Sequence, residues 1–313
     1  MGHHAHHTHD HGHEHSHDHS DTTRDRGIWS TSIGIRAVKT SLLCLAATAA
    51  LQAVVVVFSE SVALLADTVH NFGDAATAIP LWIAFRYATR KPTERFTYGF
   101  GRVEDIAGMI VLMLIAASAA VAAYESVMRI IHPEPIQNVV AVAAASLVGF
   151  GGNMLAAHVR IKAGREIGSA ALVADGRHAQ TDSYTSLAVL LGAAGVWLGF
   201  PLADPIIGAL ISVAIFCILV QASRDVLVRT IDGMDPEMLQ RISSAAVSVA
   251  GVRHCGRVRA RWSGHRIHAD LSLAISEHAT IAEAERIRQQ VELIVRNAVP
   301  ELADIIIQWQ SAH

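Results

Sequence analysis

Two stretches decide the reading: Leu64-Leu65-Ala66-Asp67-Thr68-Val69-His70-Asn71-Phe72-Gly73-Asp74 and Ala174-Asp175-Gly176-Arg177-His178-Ala179-Gln180-Thr181-Asp182. Both carry the pattern Asp-x-x-His-x-x-x-Asp, and both sit in predominantly apolar sequence. On a helix, residues i and i+4 share a face, about 6 Å apart along the axis. Each stretch therefore offers an imidazole and a carboxylate together. Ionisable groups inside a membrane span are costly and are functional candidates by default. His70, Asp74, His178 and Asp182 supply two nitrogens and two carboxylates, a tetrahedral set suited to Zn²⁺. The site contains no cysteine, which argues against a thiophilic ion such as Cu⁺, and two imidazoles argue against Mg²⁺ or Mn²⁺. Cd²⁺, Co²⁺ and Ni²⁺ fit the same donors. One such pair could simply tie helices together by hydrogen bonds; two matching copies on separate spans weigh against that. Asp67 and Asp175 are open to three readings: orienters of the histidines, gate residues, or carboxylates near the start of each helix.

Working outward, the chain has 313 residues with a mean hydropathy of +0.34, and 17% of them are charged. A soluble domain carries about 25%, so the deficit points to a membrane protein. A spanning helix needs about 20 mainly apolar residues. Six stretches qualify: Ala37–Phe58, Val62–Phe85, Ile106–Ile131, Val139–Ile161, Ser169–Leu198 and Ile206–Ala222. Basic residues fall in alternate loops. Arg24, Arg26, Arg36 and Lys39 precede the first span; Arg86, Arg90, Lys91, Arg95 and Arg102 follow the second; Arg160, Lys162 and Arg165 follow the fourth; Arg224 and Arg229 follow the sixth. The intervening loops are poor in base. This predicts both termini on the cytoplasmic side of a multi-pass protein. The net charge of −3 includes no basic field, so no nucleic-acid partner is expected. Cys44, Cys217 and Cys255 lie far apart and form no disulfide framework. The first 35 residues lack the apolar core of a secretory signal.

Three regions result: a His-rich tail (residues 1–35), a six-helix membrane domain (36–230) and a small α+β domain (235–313). In the last, Pro236–Ala250 reads as a helix capped by Asp235. His254–Trp262 and Arg266–Ile275 read as strands joined by a Ser263-Gly264 turn. Ile281–Val299 is amphipathic, and Ile305–Trp309 is a last strand. The order α-β-β-α-β fits an open sheet covered by helices, and a dimer interface would add burial to so small a domain.

The first 20 residues hold ten histidines: His3, His4, His6, His7, His9, His11, His13, His15, His17 and His19. Such a tract cannot build a core and is expected to be disordered. It reads either as a weak cytoplasmic collector of metal or as a dispensable solvated tail. His158 and Asn153 read as snorkelling or hydrogen-bonding groups, and Gln52 as a helix contact. His254, Cys255, His265, His268, Asp270 and His278 could form surface metal sites in the tail domain.

Ser61-Val62-Ala63-Leu64-Leu65-Ala66-Asp67 leading into His70-x-x-x-Asp74, then Tyr98-Gly99-Phe100-Gly101-Arg102-Val103-Glu104, then Asp175-x-x-His178-x-x-x-Asp182, resembles the cation diffusion facilitator family of zinc-transporter type. The resemblance covers about residues 36–310. It implies a homodimer of six-span protomers in the lipid bilayer, with cytoplasmic ferredoxin-like domains. It implies Zn²⁺ as transported substrate, protons as counter-ion, and alternating access. Family members place a second site in the loop before the third span, where this chain has Phe96 and Phe100. Of a tail-domain metal cluster, at most His254, Asp270 and Glu285 match. The expectation is an exporter in a bacterial inner membrane and not an enzyme: no HExxH is present, and four ligands leave no open position for catalysis. The alternatives are export of Cd, Co, Ni, Fe or Mn, or a membrane metal-binding sensor.

Overall fold

The computed structural model describes residues 19–59, 78–131, 139–200 and 203–310. His70, Asp74, Asp67 and the histidines from His3 to His17 lie outside them. The helical part consists of α1 (His19–Ser59), α2 (Ala78–Ala88), α3 (Arg102–Ile131), α4 (Val139–Ile167), α5 (Ala170–Trp197) and α6 (Ala203–Thr230). Trp29–Val55 and Val140–Ile167 are long and apolar enough to cross a membrane by length and composition. The polar stripe of α5 lowers its hydropathy, and that stripe is where the candidate ligands sit.

α1 begins at His19, well before the predicted span at Ala37. The polar segment up to residue 35 is therefore not wholly without structure. Once the apolar part forms a helix, each added residue gains a bond without a new nucleation cost.

Small residues set the packing. A Cβ on Gly152 would collide with the side chain of Thr48 on α1, and one on Gly149 would meet Ser186 Oγ at 2.8 Å and Gln52 Nε2 at 2.9 Å. A Cβ on Gly176 would lie 2.7 Å from Ile161 Cγ1 and 3.0 Å from Arg160 Cβ. Helices α1, α4 and α5 thus meet backbone to backbone, the contact that small residues permit in lipid. Gln52, fully buried, donates to the Ala145 carbonyl at 3.3 Å, the helix contact its position suggested. An apolar cluster of Val38, Leu81, Phe85, Val111, Ile115 and Leu172 joins α1, α2, α3 and α5.

The tail domain runs α7 (Pro236–Val247), β1 (His254–Ser263), β2 (Arg266–Ala274), α8 (Ile281–Ala298) and β3 (Leu302–Gln310). Strand order is β1-β2-β3, with β1 antiparallel and β3 parallel to the central β2. Asp235 caps α7 by accepting from the Glu237 N–H. Thr280 and Glu283 form a reciprocal capping box on α8, which satisfies two otherwise unpaired N–H groups at the helix start. Ile242, Ile267, Leu271, Leu273, Val291 and Val295 fill the core between helices and sheet.

The hairpin turn lies one residue later than predicted. Ser263 still pairs with Arg266, and the loop is Gly264-His265. Gly264 has φ +61 at the first loop position, the place where a type II′ hairpin calls for glycine. The shift puts His265 at the tip.

Candidate metal centre

Helix α5 carries Asp175, His178 and Asp182 at i, i+3 and i+7, one stripe of a 3.6-residue helix. All three point into protein: Asp175 is 0% exposed, His178 1% and Asp182 8%. His178 Nδ1 lies 3.7 Å from Asp182 Oδ2. That is wider than a hydrogen bond, and it leaves the two groups side by side, able to share a cation between them. The hydroxyls around them bond locally. Thr181 donates to the Arg177 carbonyl, Ser186 to the Asp182 carbonyl, and Ser183 to the Phe150 carbonyl of α4 at 2.9 Å. These bonds occupy hydroxyls that would otherwise compete for the carboxylate.

Asp175 is placed by a different partner. Its Oδ2 lies 2.9 Å from Nη1 of Arg160 on α4. Arg160 is only 1% exposed, and its Nε donates to Ser41 Oγ of α1 at 2.8 Å. Sequence reading counted Arg160 among the bases of a cytoplasmic loop. The structure buries it in the bundle, because α4 continues to Ile167 and Gly176 admits the arginine stem against α5.

A second buried polar constellation lies where the hairpin tip of the tail domain meets the helix ends. His265, 4% exposed, places Nδ1 2.7 Å from Glu104 Oε2 on α3, and its Nε2 lies 3.0 Å from Ser30 Oγ on α1. Ser169 donates to Glu104 from the start of α5. The Gly264 N–H donates to Asp105. Arg229, near the end of α6, donates to the Gly168 carbonyl and lies 4.1 Å above the Trp262 ring. Arg102 pairs with Asp232. His265 thus lies buried in the junction and not on the surface. The junction also accounts for the Gly99-to-Glu104 motif: a Cβ on Gly101 would meet the Ser263 carbonyl oxygen at 2.8 Å, so only glycine admits the hairpin. The one signal in the sequence was the Gly99-x-Gly101 pair just before the helix that carries Glu104.

The remaining candidates are dispersed. His254 is exposed at the start of β1. Asp270 pairs with Arg259 at 3.0 Å, and Glu285 with Arg288 at 2.7 Å. Among the described residues, no three His, Cys, Asp or Glu side chains gather as a metal-holding group. His268 is half-buried, and burial pushes its imidazole below the ordinary range, with Asp304 opposing. His278 and His158 are exposed; Asn153 is buried. His19 opens α1. Phe96 and Phe100 stack with ring centroids 5.0 Å apart, in contact with Tyr87.

A bundle of long helices with a buried His-Asp stripe, joined to a small α+β domain, defines an integral membrane protein that handles cations. Residues 38–229 match the family described as cation efflux transmembrane domain, and residues 234–311 match the cation efflux protein, cytoplasmic domain. The chain belongs to the cation efflux, or cation diffusion facilitator, family, and is a divalent metal cation transporter of the membrane rather than an enzyme. It is 52% identical over 289 residues to probable cation efflux system proteins of Mycobacterium tuberculosis, covering 92% of this chain and 87% of theirs. It is 25% identical to the magnetosome protein MamB of Paramagnetospirillum magneticum over 79% of this chain and 84% of that one. It is 24% identical to the manganese efflux system protein MneP of Bacillus subtilis over 86% and 94%. Among solved structures it is similar to the MamM CTD, with 27% identity, a TM-score of 0.24, and coverage of 25% of this chain and 94% of that one.

Proposed function

We propose that the chain is a Zn²⁺/H⁺ antiporter that exports zinc from the cytoplasm by alternating access. The observation that carries the reading is the His178–Asp182 pair, buried on α5 within the region matching the transmembrane domain. His70 and Asp74 repeat the pattern on the second predicted span and complete a two-nitrogen, two-carboxylate set. Metal enters while the site faces inward. Protons then compete for the same imidazoles, since ligation needs the neutral form, and release the metal outward. Histidine, with an ordinary pKa of about 6.5, suits that exchange. Six spans, both termini on the cytoplasmic side and a homodimer complete the proposed arrangement, supported by the alternation of basic loops and by the match to the cytoplasmic domain. The family relatives include a protein named for manganese efflux, so the donor set, rather than the family, argues for zinc.

The test is metal-driven proton flux in proteoliposomes. Asp182→Ala and His178→Ala are expected to reduce Zn²⁺-driven flux to the level of empty vesicles. Parental flux in both would overturn the site. His70→Asp, which trades an imidazole for an oxygen donor, is expected to move preference from Zn²⁺ toward Mn²⁺.

A further inference from the structure

We propose that a pocket between the bundle and the tail domain binds the headgroup of a zwitterionic aminophospholipid, one that carries both a phosphate and a primary ammonium. The pocket has a volume of about 110 Å³. Trp29 of α1, Glu166 and Ile167 at the end of α4, and Arg266, Arg296 and Glu301 of the tail domain line it. Its level in the membrane follows from helix length. Trp29–Val55 and Val140–Ile167, with 27 and 28 residues, are long and apolar enough to span, and each has one end at the pocket. At 1.5 Å per residue each is about 40 Å long, the thickness of a bilayer with its headgroups rather than of its hydrocarbon core. The pocket therefore lies at the headgroup layer. Trp29, 56% exposed, is the kind of side chain that settles there.

The lining carries both signs. Arg296 sits in the last turn of α8. Its Nη2 pairs with Glu292 at 2.8 Å, while its Nε is buried with no hydrogen-bond partner among the described residues. Arg266 stands close enough for the two guanidinium charges to repel: burial, and then the charge of Arg296, push the Arg266 guanidinium below its ordinary value. Two arginines brought together in a partly buried wall suit a phosphate, which accepts paired N–H donors from a guanidinium. A purely anionic ligand would leave the rest of the wall unmatched. Glu301 Oε2 is buried with no hydrogen-bond partner among the described residues, and Glu166 supplies a second carboxylate from the bundle side. A primary ammonium beside the phosphate brings these acceptors three N–H donors. His265 also lines the pocket, but its ring nitrogens already lie against Glu104 and Ser30. Size excludes larger ligands, since pockets for drug-sized molecules run to about 300–1,000 Å³. Trp29 and Glu166 belong to the bundle, and Arg266, Arg296 and Glu301 to the tail domain, so a bound headgroup ties the two together.

The test is lipid retention by the full chain. Protein purified in detergent is equilibrated with an equimolar mixture of phosphatidylethanolamine, phosphatidylcholine and phosphatidylglycerol of identical acyl chains, and bound lipid is counted by mass spectrometry of the intact complex. Phosphatidylethanolamine is expected to be retained over each of the others by about tenfold, the worth of one charge-assisted hydrogen bond. Phosphatidylcholine has the cation without its N–H donors, and phosphatidylglycerol has no cation. R296Q is expected to lower retention of all three lipids, because each has the phosphate. E301Q is expected to bring the ratio of phosphatidylethanolamine to phosphatidylcholine close to one. If E301Q does not assemble, E166Q, an exposed position on the bundle side, reads the same ratio. Equal retention of the three lipids by the parental chain, a preference for phosphatidylglycerol, or parental behaviour of R296Q or of both glutamate variants would overturn the proposal. Glycerophosphoethanolamine that displaces the lipid at equal concentration would assign the pocket to a free headgroup and overturn the lipid as its source.

Discussion

Glu104 accepts from Ser169 and lies against His265 while being 1% exposed, so its partners cannot be replaced by water without opening the junction. His265→Ala is expected to cost about 1–3 kcal/mol of hairpin docking, the penalty of a buried group left without its partner. Faster hydrogen exchange confined to Gly264 and its neighbours, with the tail-domain core still protected, would confirm it; unchanged exchange would refute it. At this scale the sequence was legible where chemistry repeats and opaque where it depends on partners. The doubled His-Asp pattern singled out His178 and Asp182, which lie buried side by side on α5. Arg160 and His265 looked like loop base and surface imidazole, because nothing in their neighbourhoods announces Asp175, fifteen residues on, or Glu104, in another domain. Burial of a charged group is a property of the pair, and a linear reading sees the members one at a time.

The element scale is governed by close approach. Gly152 lies directly against Thr48, so Gly152→Val is expected to force α1 and α4 apart and destabilise the bundle by about 1–3 kcal/mol. A lower unfolding temperature in detergent would register this, and an unchanged one would show that the helices can yield. The same reasoning explains which boundaries could be read. The tail strands and amphipathic α8 were visible to within a few residues, because periodicity and capping residues mark them. The start of α1 was not visible, since helix propagation through polar residues leaves no hydropathic signature. The hairpin turn was misread by one position because Ser263-Gly264 and Gly264-His265 are both acceptable turn pairs. The glycine's positive φ at the first loop position decided between them.

For the whole molecule, the junction between bundle and tail domain carries a pH dependence. Asp105 precedes the predicted third span and is pushed up to about 6, chiefly by burial; the Gly264 N–H opposes this, the neighbouring Glu104 charge adds to it, and Arg102 opposes it. A carboxyl raised in the docked state binds its proton more tightly there than when undocked. Its contribution to docking is therefore full near pH 4 and is lost as pH rises through about 6. Spin labels on β1 and α3 are expected to show a larger docked population at pH 5 than at pH 7.5, with a flatter profile in Asp105→Asn; identical profiles would contradict the assignment. The central strand adds a mechanical consequence. His265 sits at one end of β2, and Leu273, paired with the half-exposed Trp309, lies near the other, roughly 25 Å away at about 3.3 Å per residue. A hydrogen-bonded strand hardly stretches along its length. A push at the Trp309 end therefore reaches the mouths of α3 and α6 almost undiminished, as the throw of a rigid rod.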